Sequence, residues 1–235
     1  QLARQLGLSG RAVAGVGTAL SCLARAFLEL DGLTAEINPL VIAAEDRLIG
    51  LDARLEIDDD ASWRQGRTVE RFGHAGTAVG GRPASALETE AERIDAMDPR
   101  GVAGRLVEFD GDLGLLIGGG GASLTVFDAV LRHGGKPANY CEMGGNPTAE
   151  KIAALTGLLL SKPGVRKLGV IMNVVNNTRA DVIAEGVISG IQAAGLAPRT
   201  VIAVFRVPGS WEPEARELMA AVGVEARGRE VSLDR

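Results

Sequence analysis

The chain has 235 residues, 46% of them hydrophobic, and a formal net charge of −5; that length holds one full domain plus part of another, and the mild acidity argues against a nucleic-acid binder. Cys22 and Cys141 stand far apart without metal-type spacing, no run approaches the ~20 apolar residues of a membrane span, and the start Gln1-Leu2-Ala3-Arg4 is no signal peptide. A reduced, cytoplasmic protein without membrane contact is expected, read from the interior of a longer protein.

Residues 1–60 read helix, strand, strand. From Gly15 to Leu30, Val16, Ala19, Leu20, Leu23, Ala24, Phe27 and Leu28 mark one face of an amphipathic helix, closed by Asp31-Gly32. Thr34–Ile42 and Leu48–Leu55 read as two strands of a hairpin turning at Glu45-Asp46. That pairing brings Asn38 and Asp52 near each other. With Glu36, they form a set of hard oxygen donors suited to Mg²⁺ and a polyphosphate. The plain alternative for Asn38 and Asp52 is a hairpin hydrogen bond. A helix and a hairpin cannot bury themselves alone, so residues 1–60 read as the remnant of a larger domain.

Residues 61–111 read as a mostly irregular linker. Gly73–Gly81 has four glycines and no apolar period. Ser85–Met97 holds a short charged helix, with Ser85 and Glu88 as a capping box and Pro99 beyond its end.

Residues 112–235 alternate cleanly between strands and helices. The expected strands are Leu113–Ile117, Asn139–Met143, Lys167–Val175, Thr200–Val207 and Val224–Ala226. The helices between them are Ala122–Arg132, Thr148–Leu160, Asp181–Ala194 and Glu212–Val222. This α/β order predicts a flavodoxin-like, doubly wound parallel sheet, with ligands at the carboxyl ends of the strands. At those ends lie Gly118-Gly119-Gly120-Gly121-Ala122-Ser123, then Gly144-Gly145-Asn146-Pro147-Thr148, then Asn176-Asn177-Thr178-Arg179, and finally Arg206-Val207-Pro208-Gly209. Glycines ahead of a helix let backbone N–H groups approach an anion, and Asn, Thr and Arg add donors for carboxylate or phosphate. One such loop alone reads as a tight turn, but several on one sheet edge point to a binding site. The 32 glycines, about twice the usual share, cluster rather than spread, which points to tight backbone turns at sites.

Ala35-Glu36-Ile37-Asn38-Pro39-Leu40-Val41-Ile42 and Leu51-Asp52-Ala53-Arg54-Leu55 resemble the end of the ATP-grasp domain in succinyl-CoA synthetase beta subunits. His133-Gly134-Gly135-Lys136-Pro137-Ala138-Asn139-Tyr140 and Asp181-Val182-Ile183-Ala184-Glu185-Gly186-Val187-Ile188 resemble later segments of the same family. The resemblance covers roughly 15–60 and 105–222. It implies an acid–CoA ligase forming ADP or GDP, with ATP or GTP, Mg²⁺ and CoA as cofactors. It also implies an alpha-type, CoA-binding partner carrying a phosphohistidine, and a small carboxylic acid as substrate. By the same resemblance Asn38 and Asp52 match the Mg²⁺ ligands, and Glu36 matches a carboxylate that meets the phosphohistidine loop.

Gly118 stands where succinyl-CoA synthetases carry Asn. Gly119–Ser123 and Ala138-Asn139-Tyr140 are closer to ATP-citrate lyase and citryl-CoA synthetase, whose citrate-contacting Asn and Thr align with Asn176 and Thr178. Only Arg206 remains of that branch's paired arginines. A citryl-CoA-type subunit therefore stands beside the succinyl-CoA reading, and a non-catalytic acid-binding or assembly module is the alternative of another class. An ATP-grasp domain needs a Lys-bearing nucleotide cleft upstream that this sequence does not hold, so the chain is expected to be either a fragment of a full ligase or the partner of a separate piece, and to be inactive alone. His133 reads as a helix C-terminal residue, His74 as a solvated loop residue, Cys141 as a small buried hydrophobe, Met172 as core, and Glu150 and Lys151 as solvated.

Overall fold

A computed structural model describes residues 5, 7–72 and 82–234, and the chain divides into two compact units between Ala78 and Val79. The glycine loop expected over Gly73–Gly81, with His74, lies outside the described residues.

The first unit opens with α1, Gly10–Glu29, which buries Ala12 and Val16. It starts earlier than its apolar spacing predicted. Gly15 sits inside it because Leu48 packs there: a Cβ would lie 2.7 Å from Leu48 Cδ1. By length and composition alone α1 is long and apolar enough to cross a membrane, which the residue count from sequence did not register. It exposes Leu20, Phe27 and Leu28. The two expected strands are each split. β1 (Gly32–Ile37) pairs antiparallel with β4 (Ala53–Ile57), and β2 (Leu40–Ile42) pairs antiparallel with β3 (Leu48–Gly50). Pro39 explains the break, since it has no N–H for a ladder. The chain bridges the gap through Asn38 N–H to Asp52 O at 3.1 Å and Leu51 N–H to Pro39 O at 3.1 Å. α2, Ser62–Phe72, follows. Arg64 binds Asp31 through two bonds of 2.8 and 2.7 Å, and Gln65 adds a third at 2.8 Å.

The segment read as a linker, 61–111, is therefore more ordered than expected. Its first helix belongs to the first unit. In the second unit, α3 (Ala86–Asp95) carries the expected Ser85–Glu88 capping box, and β5 (Val102–Glu108) forms an antiparallel edge strand. A bulge between Ala103 and Arg105 breaks the alternation that would have revealed β5. Gly104 sits in that bulge because a Cβ would collide with the Ala91 carbonyl of α3.

The remaining elements follow the expected alternation. They are β6 (Leu113–Gly118), α4 (Gly121–Arg132), β7 (Asn139–Gly144), α5 (Ala149–Ser161), β8 (Lys167–Met172), α6 (Ala180–Ala193), a short α7 (Pro198–Val201), β9 (Ile202–Arg206), α8 (Glu212–Ala221) and β10 (Ala226–Arg227). The sheet runs β5-β7-β6-β8-β9-β10. Its five parallel strands thus take the flavodoxin-like order 2-1-3-4-5, and the order reverses between β6 and β8. The larger core gathers Ala91, Ile152, Ile183 and Met219 from four helices over Leu116, Met143, Val170 and Phe205. On the other face Val126 of α4 covers Leu115 and Ile117, with Phe127 and Tyr140 beside them. β6 and β7 are joined partly by a side chain: fully buried Asn139 donates to Leu115 O at 2.8 Å and accepts from Leu115 N–H at 3.0 Å.

Lys151 departs from its expected solvated place. It is 1% exposed, pairs with Asp95 at 2.9 Å, and donates to the carbonyls of Asp98, Arg100 and Gly101 at 2.8, 3.2 and 3.1 Å. Its (CH₂)₄ stem reaches past the first turn of α5, which residue type alone does not reveal. Cys141 and Met172 are core as expected, and burial pushes the Cys141 thiol up to about 12.

Candidate functional site

The hairpin of the first unit sets its oxygen donors side by side. Asn38 Nδ2 donates to Glu36 Oε1 at 2.8 Å, which leaves the Asn38 amide oxygen for a cation. Asp52 Oδ1 accepts from Ala53 N–H at 2.9 Å, and its backbone carbonyl holds Asn38. All three side chains are exposed. Among the described residues no cluster of three or more His, Cys, Asp or Glu could cage a metal by itself. Asn38 and Asp52 can offer a cation one amide and one carboxylate oxygen, the other ligands coming from phosphate and water.

In the second unit, the loops after β6 and β8 flank the point where strand order reverses. Gly118 is wedged there: a Cβ would collide with Met143 O and Met172 Sδ, so packing requires glycine at that position. Gly119 (φ +123) and Gly120 (φ +60) take conformations open to glycine, and Gly120 caps α4, which starts at Gly121. Asn173 N–H donates to Gly118 O at 2.9 Å, tying the two loops together. Gly119, Gly120 and Gly121 are exposed, Ala122 is half-buried and Ser123 is fully buried. Ser123 faces the protein, donating to Gly120 O at 2.5 Å and meeting Tyr140 Oη at 2.6 Å. Glu142 completes this corner, accepting from Gly120 N–H at 2.7 Å.

The loop after β7 turns at Gly145 (φ +67) and Asn146 (φ 66), beyond Gly144 at the strand's end. Asn146 N–H donates to Thr178 Oγ1 at 3.0 Å. Thr178 is 4% exposed, so its hydroxyl braces the neighbouring loop, whereas Asn176 and Asn177 are exposed. Arg179 grips Asp181 at 3.0 and 2.5 Å and lies 4.0 Å over the Trp211 ring. The Asp181 carboxylate holds the Arg179 guanidinium above its ordinary pKa. Ser210 Oγ donates to Asn176 O at 2.7 Å, so the loops after β8 and β9 are laced together.

Arg206 differs from the expectation that it faces a ligand. It is buried, donating to Val231 O at 2.6 Å, Met172 O at 2.6 Å and Asn173 O at 3.1 Å. Burial lowers its pKa. Arg206 closes the end of β8 and anchors the last residues of the chain. Sequence reasoning missed Tyr140 and Glu142. Their signal was the two-residue period of β7, which puts both on the α4 face.

Comparison with known proteins adds to this geometry. The chain is 33% identical over 224 residues to the beta subunit of ADP-forming succinate–CoA ligase from Cupriavidus pinatubonensis, covering 95% of this chain and 52% of that protein. The Halorhodospira halophila counterpart is 30% identical over 228 residues, covering 96% and 53%. The chain is a sequence relative of the succinate–CoA ligase beta subunits. It corresponds to a C-terminal part of them and spans about half the length of the curated relatives it matches. No family model matches it. Two solved structures share its fold. An ATP citrate lyase of Methanosaeta concilii, in complex with (3S)-citryl-CoA, has a TM-score of 0.78 at 22% identity and is matched over 97% of this chain and 60% of that one. An ATP citrate lyase of Methanothrix soehngenii, with citrate and coenzyme A, has a TM-score of 0.78 at 22% identity over 95% and 58%.

The second unit exposes Gly119–Gly121 at the N-terminus of α4, with the exposed Asn176 and Asn177 on the loop after β8. Such an array can hold a carboxylate or a phosphoryl group through backbone donors and helix dipole, without a cationic side chain.

Proposed function

We propose that this chain is part of a nucleotide-dependent acid–CoA ligase, whose second unit holds the acid and the phosphate in transfer. The observation that carries the reading is the loop at Gly118–Gly121, which opens α4 where the strand order reverses. Open α/β sheets bind ligands at that place. In this reading, ATP or GTP phosphorylates a histidine of an alpha-type, CoA-binding partner, and the phosphoryl group passes to a di- or tricarboxylic acid. The CoA thiol then attacks the acyl carbon of the acyl phosphate, forming the thioester and releasing phosphate. The Gly119, Gly121 and Gly145 amides and the Asn176 and Asn177 side chains orient the acid and balance the charge on its oxygens.

The first unit supplies Asn38 and Asp52 to Mg²⁺, which when bound neutralises phosphate charge, and Glu36 meets the phosphohistidine segment. It is the end of an ATP-grasp domain. The exposed Leu20, Phe27, Leu28, Val41 and Leu55 support this, since the remainder of such a domain would cover apolar surface. The reading places the protein in the cytoplasm, without nucleic-acid or membrane partners.

The test is thioester formation by the assembled ligase, this chain together with its nucleotide-binding segment and alpha-type subunit, over an acid panel including succinate and citrate. The expected result is acid-dependent ADP or GDP release with acyl-CoA formed. Loss of nucleotide turnover with every acid would refute the ligase reading.

A further inference from the structure

The loop at the head of α4 already holds a carboxylate of its own. Glu142 leaves β7 on the face covered by α4, and Oε1 accepts the Gly120 N–H at 2.7 Å. Its Oε2 accepts from Tyr140 Oη at 3.3 Å. Tyr140 in turn meets Ser123 Oγ at 2.6 Å, and Ser123 returns to the Gly120 carbonyl at 2.5 Å. Two hydroxyl protons serve these three contacts, so Tyr140 donates either to Glu142 or to Ser123, and the four residues ring the turn. Burial holds the Tyr140 hydroxyl above its ordinary pKa, which keeps it a donor. The two oxygens of Glu142 meet an N–H group and a hydroxyl at the N-terminal end of α4, and Arg105 of β5 stands opposite it in the sheet register.

A helix N-terminus opened by left-handed glycines favours one nearby anion. Here a side chain of the same protein provides it. We infer that Glu142 is a specificity-determining internal carboxylate: it occupies the Gly120 donor when the loop is empty, and an acid or phosphate binds there by displacing it. This rests on the reading above that the loop takes an acid or a phosphoryl group. The arrangement has two consequences. The ring keeps Gly119 and Gly120 in the binding conformation before any ligand arrives. The displaced carboxylate stays close to the bound anion, so affinity falls as ligand charge rises, through like-charge repulsion.

The test is calorimetric titration of the full chain, and of Glu142→Gln and Glu142→Ala, with inorganic phosphate, succinate and citrate. In Glu142→Gln the amide oxygen can still accept the Gly120 N–H, so the ring persists without its charge. Both variants should bind about tenfold tighter than the parent, a gain of about 1.4 kcal/mol, with the largest gain for citrate. Raising the salt concentration should shrink the difference. Thermal unfolding confirms that each variant is folded, and Glu142→Gln decides if Glu142→Ala is not. Equal or weaker binding by folded Glu142→Gln would overturn the role of Glu142 while leaving the anion site standing. Absence of binding in all three proteins would overturn both.

Discussion

The Lys151 ammonium stands 2.9 Å from the Asp95 carboxylate, at the end of α3, and donates to three carbonyls of the turn that follows. The same turn carries Gly101, whose Cα lies 3.3 Å from where a Cβ on Gly145 would be. Lys151 thus supports the glycine loop after β7 from beneath. Replacing it by Met would leave three carbonyls and a carboxylate without their cation. The expected loss is about 3 kcal/mol, because removing one partner of a buried ion pair strands the other. Chemical denaturation of the variant against the parent measures it.

Gly101 makes a second demand on that turn. It has φ +63, and an added Cβ would collide with Pro147 N and lie 2.8 Å from Asn146 C. Gly101→Ala is expected to cost about 1–3 kcal/mol through overpacking. It should also displace the Gly144–Pro147 loop, visible as amide shifts at Gly145 and Asn146 by NMR. A shift confined to residue 101 would speak against the coupling.

Glu88 provides the pH dependence. The Arg82 guanidinium, at 2.5 Å, is the main cause of its lowered pKa, helped by the N–H groups of Glu108 and Ser85, and together they bring it to about 2 from an ordinary 4.5. A depressed carboxylate stabilises the fold above its unfolded pKa and loses that contribution as pH falls through its folded one. The parent should therefore exceed Glu88→Gln in stability above pH ~4.5, and the gap should close toward pH ~2. Urea unfolding across that range measures it.

The metal reading makes a prediction of its own. In the assembled ligase, Asp52→Asn keeps the size of the side chain but removes the anionic ligand. The Mg²⁺ concentration for half-maximal activity should rise more than about tenfold, with maximal activity partly recovered at high Mg²⁺. An unchanged Mg²⁺ requirement would indicate that Asp52 serves only the hairpin.

Much of the second unit was legible in the sequence because its signals are local. Leu113–Ile117 and Leu168–Val170 are continuous apolar runs, as buried parallel strands require, and glycines follow the carboxyl ends of β6, β7 and β9. The Ser85–Glu88 box was legible for the same reason. What escaped depends on distant partners. β5 is marked by its pairing with β7 and interrupted by a bulge, and Lys151 is buried by a turn about fifty residues earlier in the chain. Arg206 looked like a ligand donor by type and place, yet three carbonyls turn it inward. In the hairpin, Pro39 split a strand that alternation alone made continuous. Of the loop residues, the structure assigns Ser123 and Thr178 to holding neighbouring turns, while Gly119, Gly120, Gly121, Gly145, Asn176 and Asn177 face outward.

The measurement that bears most directly on the central claim is amide chemical-shift mapping of the full chain titrated separately with succinate, citrate and inorganic phosphate. The account predicts concerted, saturable shifts at Gly119, Gly120 and Gly121 together with Gly145 and Asn176. Saturable shifts confined to other parts of the chain, with these five amides unmoved, would contradict it.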